Sequence, residues 1–195
     1  MALPLFELLI SPEEDSEFEV KFISGVDMPA IKANWFAFRA EQPEPLAFAF
    51  KDEARRIIFG PAMIPDQRIV RKDEKTGEAF EVFFSKETIA AIAEKFYQKN
   101  YQTNFNTMHN PDTATDGVVF FQSVIKNTEY GITGMAGDYP EGTWFLGAKV
   151  NDDKVWDKVK AGEIKGFSVE GLFGFKKQAM STEQLFERIK EILLQ

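Results

Sequence analysis

Three side chains of this 195-residue sequence could combine in acyl transfer. They are its single histidine, His109, a serine held between two bulky apolar neighbours, Ser168 in "GFSVEG", and a glutamate two residues on, Glu170. An imidazole takes a proton from a hydroxyl effectively when a third group orients its ring, and spatial arrangement rather than chain order decides whether the three meet. In "KGFSVEGLFGF" strand alternation sets Phe167, Val169 and Phe173 on one face and Ser168, Glu170 and Leu172 on the other. An imidazole bridging a hydroxyl and a carboxylate spans roughly 7 Å between their oxygens, and alternate strand residues stand about 6.5–7 Å apart. One ring therefore fits across Ser168 and Glu170. Asp112, Asp116 and Glu129 are the other acids open to the orienting role. Taken alone, Ser168 reads as a polar position on the wet side of a strand, His109 as a structural residue, and Glu170 as a solvated or lysine-paired carboxylate.

Other chemistries find less support. The nucleophile elbow GxSxG is absent, because Glu170 stands where the second glycine belongs. His109 with Asp112 and Asp116 offers one imidazole and two carboxylates to a cation, but no HExxH or EF-hand spacing accompanies them. The glycines of "GITGMAGDYPEG", 131–142, lack the lysine and following helix of a phosphate loop, and the stretch reads as a mobile loop. No cofactor and no metal site is expected. His109 lies in "TNFNTMHNPDT", a segment rich in Asn and Thr between a helix and a strand, the kind of loop that presents functional groups from a rigid scaffold.

The elements that must position these groups follow from periodicity. "FEVKFIS", 18–24, and "PLAFAF", 45–50, alternate as strands, and 55–65 reads as a strand broken at Gly60-Pro61. "DEKTGE", 73–78, is a turn with Gly77 at its tip, returning as the strand 79–84. Ser85 caps a helix whose Ile89, Ile92, Ala93, Phe96 and Tyr97 share a face. Strands are expected over 117–126 and 142–150, then a short helix over 151–162 capped by Asn151 and ended by Gly162. Glycines at 166, 171 and 174 thin the next strand, so that another backbone or a peptide can come close. Ser181 and Gln184 form a capping box for a terminal helix with apolar residues over 182–194, able to pair with another chain, a second copy in a homo-oligomer included. The expected class is α+β, an antiparallel β-rich core with about three helices. It divides into an N-terminal arm over 1–16, a core domain over 17–178 and a C-terminal helix over 179–195.

Composition narrows the partners. A net charge of −8 repels phosphate backbones, so nucleic acid is not expected. The absence of cysteine excludes disulfides, thiolate catalysis and Cys-based zinc sites. Twenty Phe residues argue for an aromatic-packed interior. The start, "MALPLFELLI", is too short for a membrane span and lacks a basic leader, and reads as an arm or first strand docking on the core. A cytoplasmic protein without a membrane partner is expected.

From about residue 53 to 175 the chain resembles the XkdF-like phage prohead serine proteases, capsid-maturation enzymes akin to herpesvirus assemblins. The resemblance rests on "GPAMIPDQRIVRKDEKTGEAFEVFFSKETIAAIAEKF", "MHN" and "PEGTWFLGAKVNDDKVWDKVKAGEIKGFSVEGLF" in that order, well over half the sequence. It implies a mostly antiparallel β-barrel wrapped by helices, and makes 17–178 a protease domain. By position it implies that His109 and Ser168 are the catalytic pair. Assemblins carry a second histidine as third member, which this chain lacks. Glu170, on the strand face of Ser168, is the acid chosen here, with Asp112, Asp116 and Glu129 open. The resemblance further implies a serine endopeptidase that cleaves scaffold and capsid-protein segments, and itself, inside the prohead in the host bacterial cytoplasm. The alternative is a catalytically degenerate domain acting as a capsid-assembly or scaffold-binding module.

Overall fold

A computed structural model of the chain describes residues 3–11, 18–27, 48, 50–73, 75–133 and 138–178. These form twelve strands and two helices: β1 (Leu5–Leu9), β2 (Val20–Val26), β3 (Phe50–Asp52), β4 (Ile57–Met63), β5 (Ile69–Lys72), β6 (Ala79–Phe83), α1 (Lys86–Gln98), β7 (Phe105–Thr107), β8 (Asn110–Thr115), β9 (Val118–Ile125), β10 (Trp144–Val150), α2 (Asp153–Ala161), β11 (Gly166–Gly171) and β12 (Gly174–Lys177).

The strands make three open four-stranded sheets, ordered β12-β1-β6-β5, β3-β4-β10-β9 and β11-β2-β7-β8. This corrects the α+β expectation of an antiparallel barrel with three helices. Among the described residues the protein is mostly β, no sheet closes on itself, and two pairings, β1 with β6 and β2 with β7, are parallel. Alternation along a strand states which face is buried but not which strand lies alongside, so it carries no signal for closure or direction. The third expected helix, over 179–195, lies outside the described residues, as do 1–2 and 12–16 of the expected arm. Residues 5–9 of that arm are the docked strand β1, seated between β12 and β6.

Smaller departures have local causes. β4 runs through Gly60-Pro61 without a break. Its neighbour β3 reaches only Ile57–Phe59, so the proline nitrogen faces no ladder partner on that side. Asp152 rather than Asn151 caps α2, its carboxylate accepting from the Val155 amide at 3.0 Å, while Gly162 ends the helix at φ +73° as expected. The stretch after Ser168 is two strands, not one: the chain turns at Leu172-Phe173, and β12 pairs antiparallel with β1.

The core sits where α1, α2 and the second and third sheets meet. β10 is buried at six of its seven positions, the near-continuous apolar run of a strand covered on both faces. Phe120 joins this core together, with ring centroids 6.2 Å from Phe96, 6.2 Å from Phe105 and 5.5 Å from Phe167. The buried Glu19 carboxylate stands 3.8 Å from Lys95 of α1 and accepts from Tyr101 at 3.2 Å, which fixes the start of β2 against the helix. Since Phe120 contacts α1, β7 and β11 at once, Phe120→Ala is expected to cost about 3–5 kcal/mol of unfolding free energy by urea titration. A loss under about 1 kcal/mol would show that the core does not run through this ring.

Candidate active site

The third sheet places the polar groups in a row. Ser168 of β11 is opposite Ser24 of β2, and Ser24 is opposite Asn106 of β7, so three buried polar side chains stand side by side on one face. Phe167, next in β11, points the other way and is fully buried in the core. The Ile23 amide bonds to Asn104 and the Met108 amide to the Gly25 carbonyl, so Ile23 and Gly25 serve β7. Ser24 therefore turns its backbone to β11 and bonds Ser168, while the amides of Phe167 and Val169 face the sheet edge. Two glycines permit this packing. A Cβ at Gly25 would lie 2.7 Å from the Phe105 ring, and one at Gly171 would lie 2.2 Å from the Glu19 carbonyl oxygen. The backbone that approaches Gly171 is thus the chain's own β2.

His109 arrives from a tight hairpin. Thr107 and Asn110 are paired, leaving Met108 and His109 as the two central turn residues, with φ of +52° and +56°. Two positive φ values match a type I′ turn, where Asn-Gly is the usual choice and side-chain-bearing residues are strained. The strain is offset by what the turn secures: the His109 amide donates to Ser24 Oγ at 3.0 Å, and the imidazole is buried.

The carboxylate of Glu170 gathers these groups. Nδ1 of His109 lies 3.1 Å from Oε1 of Glu170, and the Ser24 hydroxyl reaches the same oxygen at 2.5 Å. Ser24 also contacts the Asn106 side-chain amide. One hydroxyl proton cannot serve two oxygens, so Asn106 is satisfied when it presents its NH2 group to Ser24. Burial by itself would raise the Glu170 pKa. Hydrogen bonds from His109, Ser24 and Asn106, with the His109 charge, outweigh it and bring the pKa from 4.5 down to about 2. A carboxylate 3.1 Å from Nδ1 favours the tautomer with its proton on that nitrogen and a lone pair on Nε2.

His109, Ser168 and Glu170 all line one cleft of about 500 Å³ between β11 and the first sheet. Its floor is largely apolar, with Leu8, Phe80, Phe84 and Phe175. Of the acids left open by sequence, Asp112, Asp116 and Glu129 are exposed and do not line the cleft. Among the described residues no group of three or more His, Asp and Glu side chains is arranged for a metal ion. Sequence reasoning missed Ser24 and Asn106. Ser24 carries a signal, since it continues the phase of Phe18, Val20 and Phe22 and so is a serine in an apolar row. Asn106 lies in the Asn-rich segment noted around His109.

A hydroxyl, an imidazole and an ionised carboxylate sharing a cleft is the side-chain set of serine hydrolases. The chain belongs to the family described as "Putative phage serine protease XkdF", whose family model matches residues 46–175. No curated protein and no solved structure matches it.

Because the Glu170 pKa is lowered on folding, its ionised form stabilises the protein above about pH 4.5, and that contribution is lost as pH falls towards 2. Allowing for partial exposure of the carboxylate, it amounts to about 2 kcal/mol. Between pH 5 and pH 2 the unfolding free energy of the wild type should therefore fall about 2 kcal/mol further than that of Glu170→Gln, measured by urea titration. Parallel acid limbs for the two proteins would contradict the network.

Proposed function

We propose that this protein is a serine endopeptidase of phage head maturation, which cleaves scaffold and capsid-protein segments, and itself, within the prohead in the host bacterial cytoplasm. Membership of the phage serine protease family supports the class. The observation that carries the mechanism is the 3.1 Å contact of His109 Nδ1 with Glu170 in the cleft that Ser168 lines.

In this reading Ser168 is the nucleophile, His109 the general base and then acid, and Glu170 the group that orients the ring. Nε2 of His109 takes the hydroxyl proton as Oγ of Ser168 attacks the peptide carbonyl carbon. The tetrahedral oxyanion is assigned to the backbone N–H of Val169, which faces away from β2. Collapse breaks the C–N bond, and the proton on Nε2 passes to the leaving amine. Water, deprotonated by the same nitrogen, then releases the acyl group from Ser168. Ser24 and Asn106 act through Glu170, holding its carboxylate against the ring.

Ser168→Ala and His109→Ala should each abolish processing of a co-expressed capsid or scaffold protein with the fold retained, the two losses being equal because the pair acts as a unit. A serine-directed fluorophosphonate should label the purified protein at Ser168, located by mass mapping. Undiminished processing by Ser168→Ala would refute the assignment, and binding of capsid protein without cleavage by the wild type would favour an assembly module.

A further inference from the structure

The far edge of the cleft carries a cation that the mechanism does not use. Arg71 lies on β5, the outermost strand of the first sheet, opposite Phe80 of β6. Along β5 the half-buried Ile69 and Arg71 line the cleft and the exposed Val70 does not, while Lys72, also exposed, borders the same end of the cleft. Arg71 is half-buried, and its Nη1 makes a long polar contact with the Val70 carbonyl at 3.4 Å. Among the described residues no carboxylate pairs with it. Glu81 of the adjoining strand is opposite Val70, on the other face, and is taken by Arg68 at 3.1 Å. Among the described residues the one acid lining the cleft, Glu170, is committed to His109 and Ser24. Burial pushes the Arg71 pKa below its ordinary value, the mark of a cation set in apolar surroundings without a counter-ion.

A desolvated guanidinium beside an aromatic floor is a site for a carboxylate on an otherwise apolar segment, since the planar fork binds a carboxylate with two parallel hydrogen bonds. We propose that Arg71 is a specificity-determining residue, which receives an acidic side chain of the substrate peptide while apolar side chains of the same segment cover Phe80 and Phe175. The proposal rests on the endopeptidase reading for its consequence in cleavage, but binding at Arg71 does not require that the bond be cut. Three strand spacings of about 4.8 Å separate β12 from β5, some 14 Å, which extended chain crosses in about four residues. The acidic residue accordingly stands at a distance from the scissile bond, and need not adjoin it.

The test uses C-terminally amidated dodecapeptides of apolar residues with one Glu walked along the sequence, alongside Gln and Lys counterparts. Binding to the uncleaving Ser168→Ala protein is read by fluorescence anisotropy, with and without Arg71→Gln. At one preferred position Glu should bind about ten- to a hundredfold more tightly than Gln, and Lys more weakly than either. Arg71→Gln should bring the Glu-to-Gln ratio close to one, and Arg71→Glu should favour the Lys peptide. Where the wild type cleaves these peptides, the ratio of kcat/KM for Glu over Gln should fall with the same substitution. A free-acid peptide without Glu distinguishes a terminal carboxylate, whose preferential binding over Glu would overturn the side-chain assignment. Equal binding of Glu, Gln and Lys peptides, or binding of none, would also overturn it. Arg71-dependent binding without cleavage would keep the subsite and remove the endopeptidase reading. Thermal melts of the Arg71 variants, whose side chain sits on an edge strand, verify that they fold.

Discussion

The Glu170 carboxylate is the interaction on which the site depends. It is the meeting point of β11, which carries it, of β2 through Ser24, and of the β7–β8 turn through His109. A bare carboxylate so placed would be costly. Here the surrounding donors make the ionised state the favoured one, which keeps a fixed negative charge at Nδ1. The ring is held by that charge on one side and by its own backbone bond to Ser24 on the other. Ser24 therefore restrains both the carboxylate and the histidine beside it.

Local structure was readable in the sequence where a short-range cause existed. The apolar face and Ser85 cap of α1, the Gly162 stop of α2 and the 73–78 turn each depend on residues a few positions apart. Strand partners were not readable, because pairing of Val20–Val26 with 105–107 and 166–171 joins distant segments whose alternation is indifferent to the neighbour. β7 and β8 escaped notice for another reason. Their segment is short and polar, and its hairpin turn is Met-His where the recognisable chemistry would be Asn-Gly. Alternation did place Ser168 and Glu170 on one face. The approach of His109 to that face came from no spacing rule, since it depends on a turn whose backbone conformation its residue types disfavour.

The division of labour between the sheets also bears on the site. The third sheet supplies the polar row, and the first sheet supplies the aromatic floor opposite. Phe6, Phe80 and Phe175 come from three strands of that first sheet, with ring centroids 5.6–6.2 Å apart and mostly edge-on. Since β11 passes into β12 through Leu172-Phe173, the strand bearing Ser168 is tethered directly to the floor that would seat a substrate.

The parallel pairing of β2 with β7 has a consequence in time. The polar row is assembled from residues near 24, 106 and 168, and β2, its middle strand, lies outside the matched span 46–175. Ser24 is made early by the ribosome and waits for the segment bearing Ser168, which emerges some 140 residues later. Loops of that size close slowly, and contacts so far apart form late. No nascent chain ending before residue 168 holds the hydroxyl, so the constellation comes into being only after nearly the whole described chain has been synthesised. Chain length acts here as a clock that separates synthesis of the first polar residue from assembly of the row.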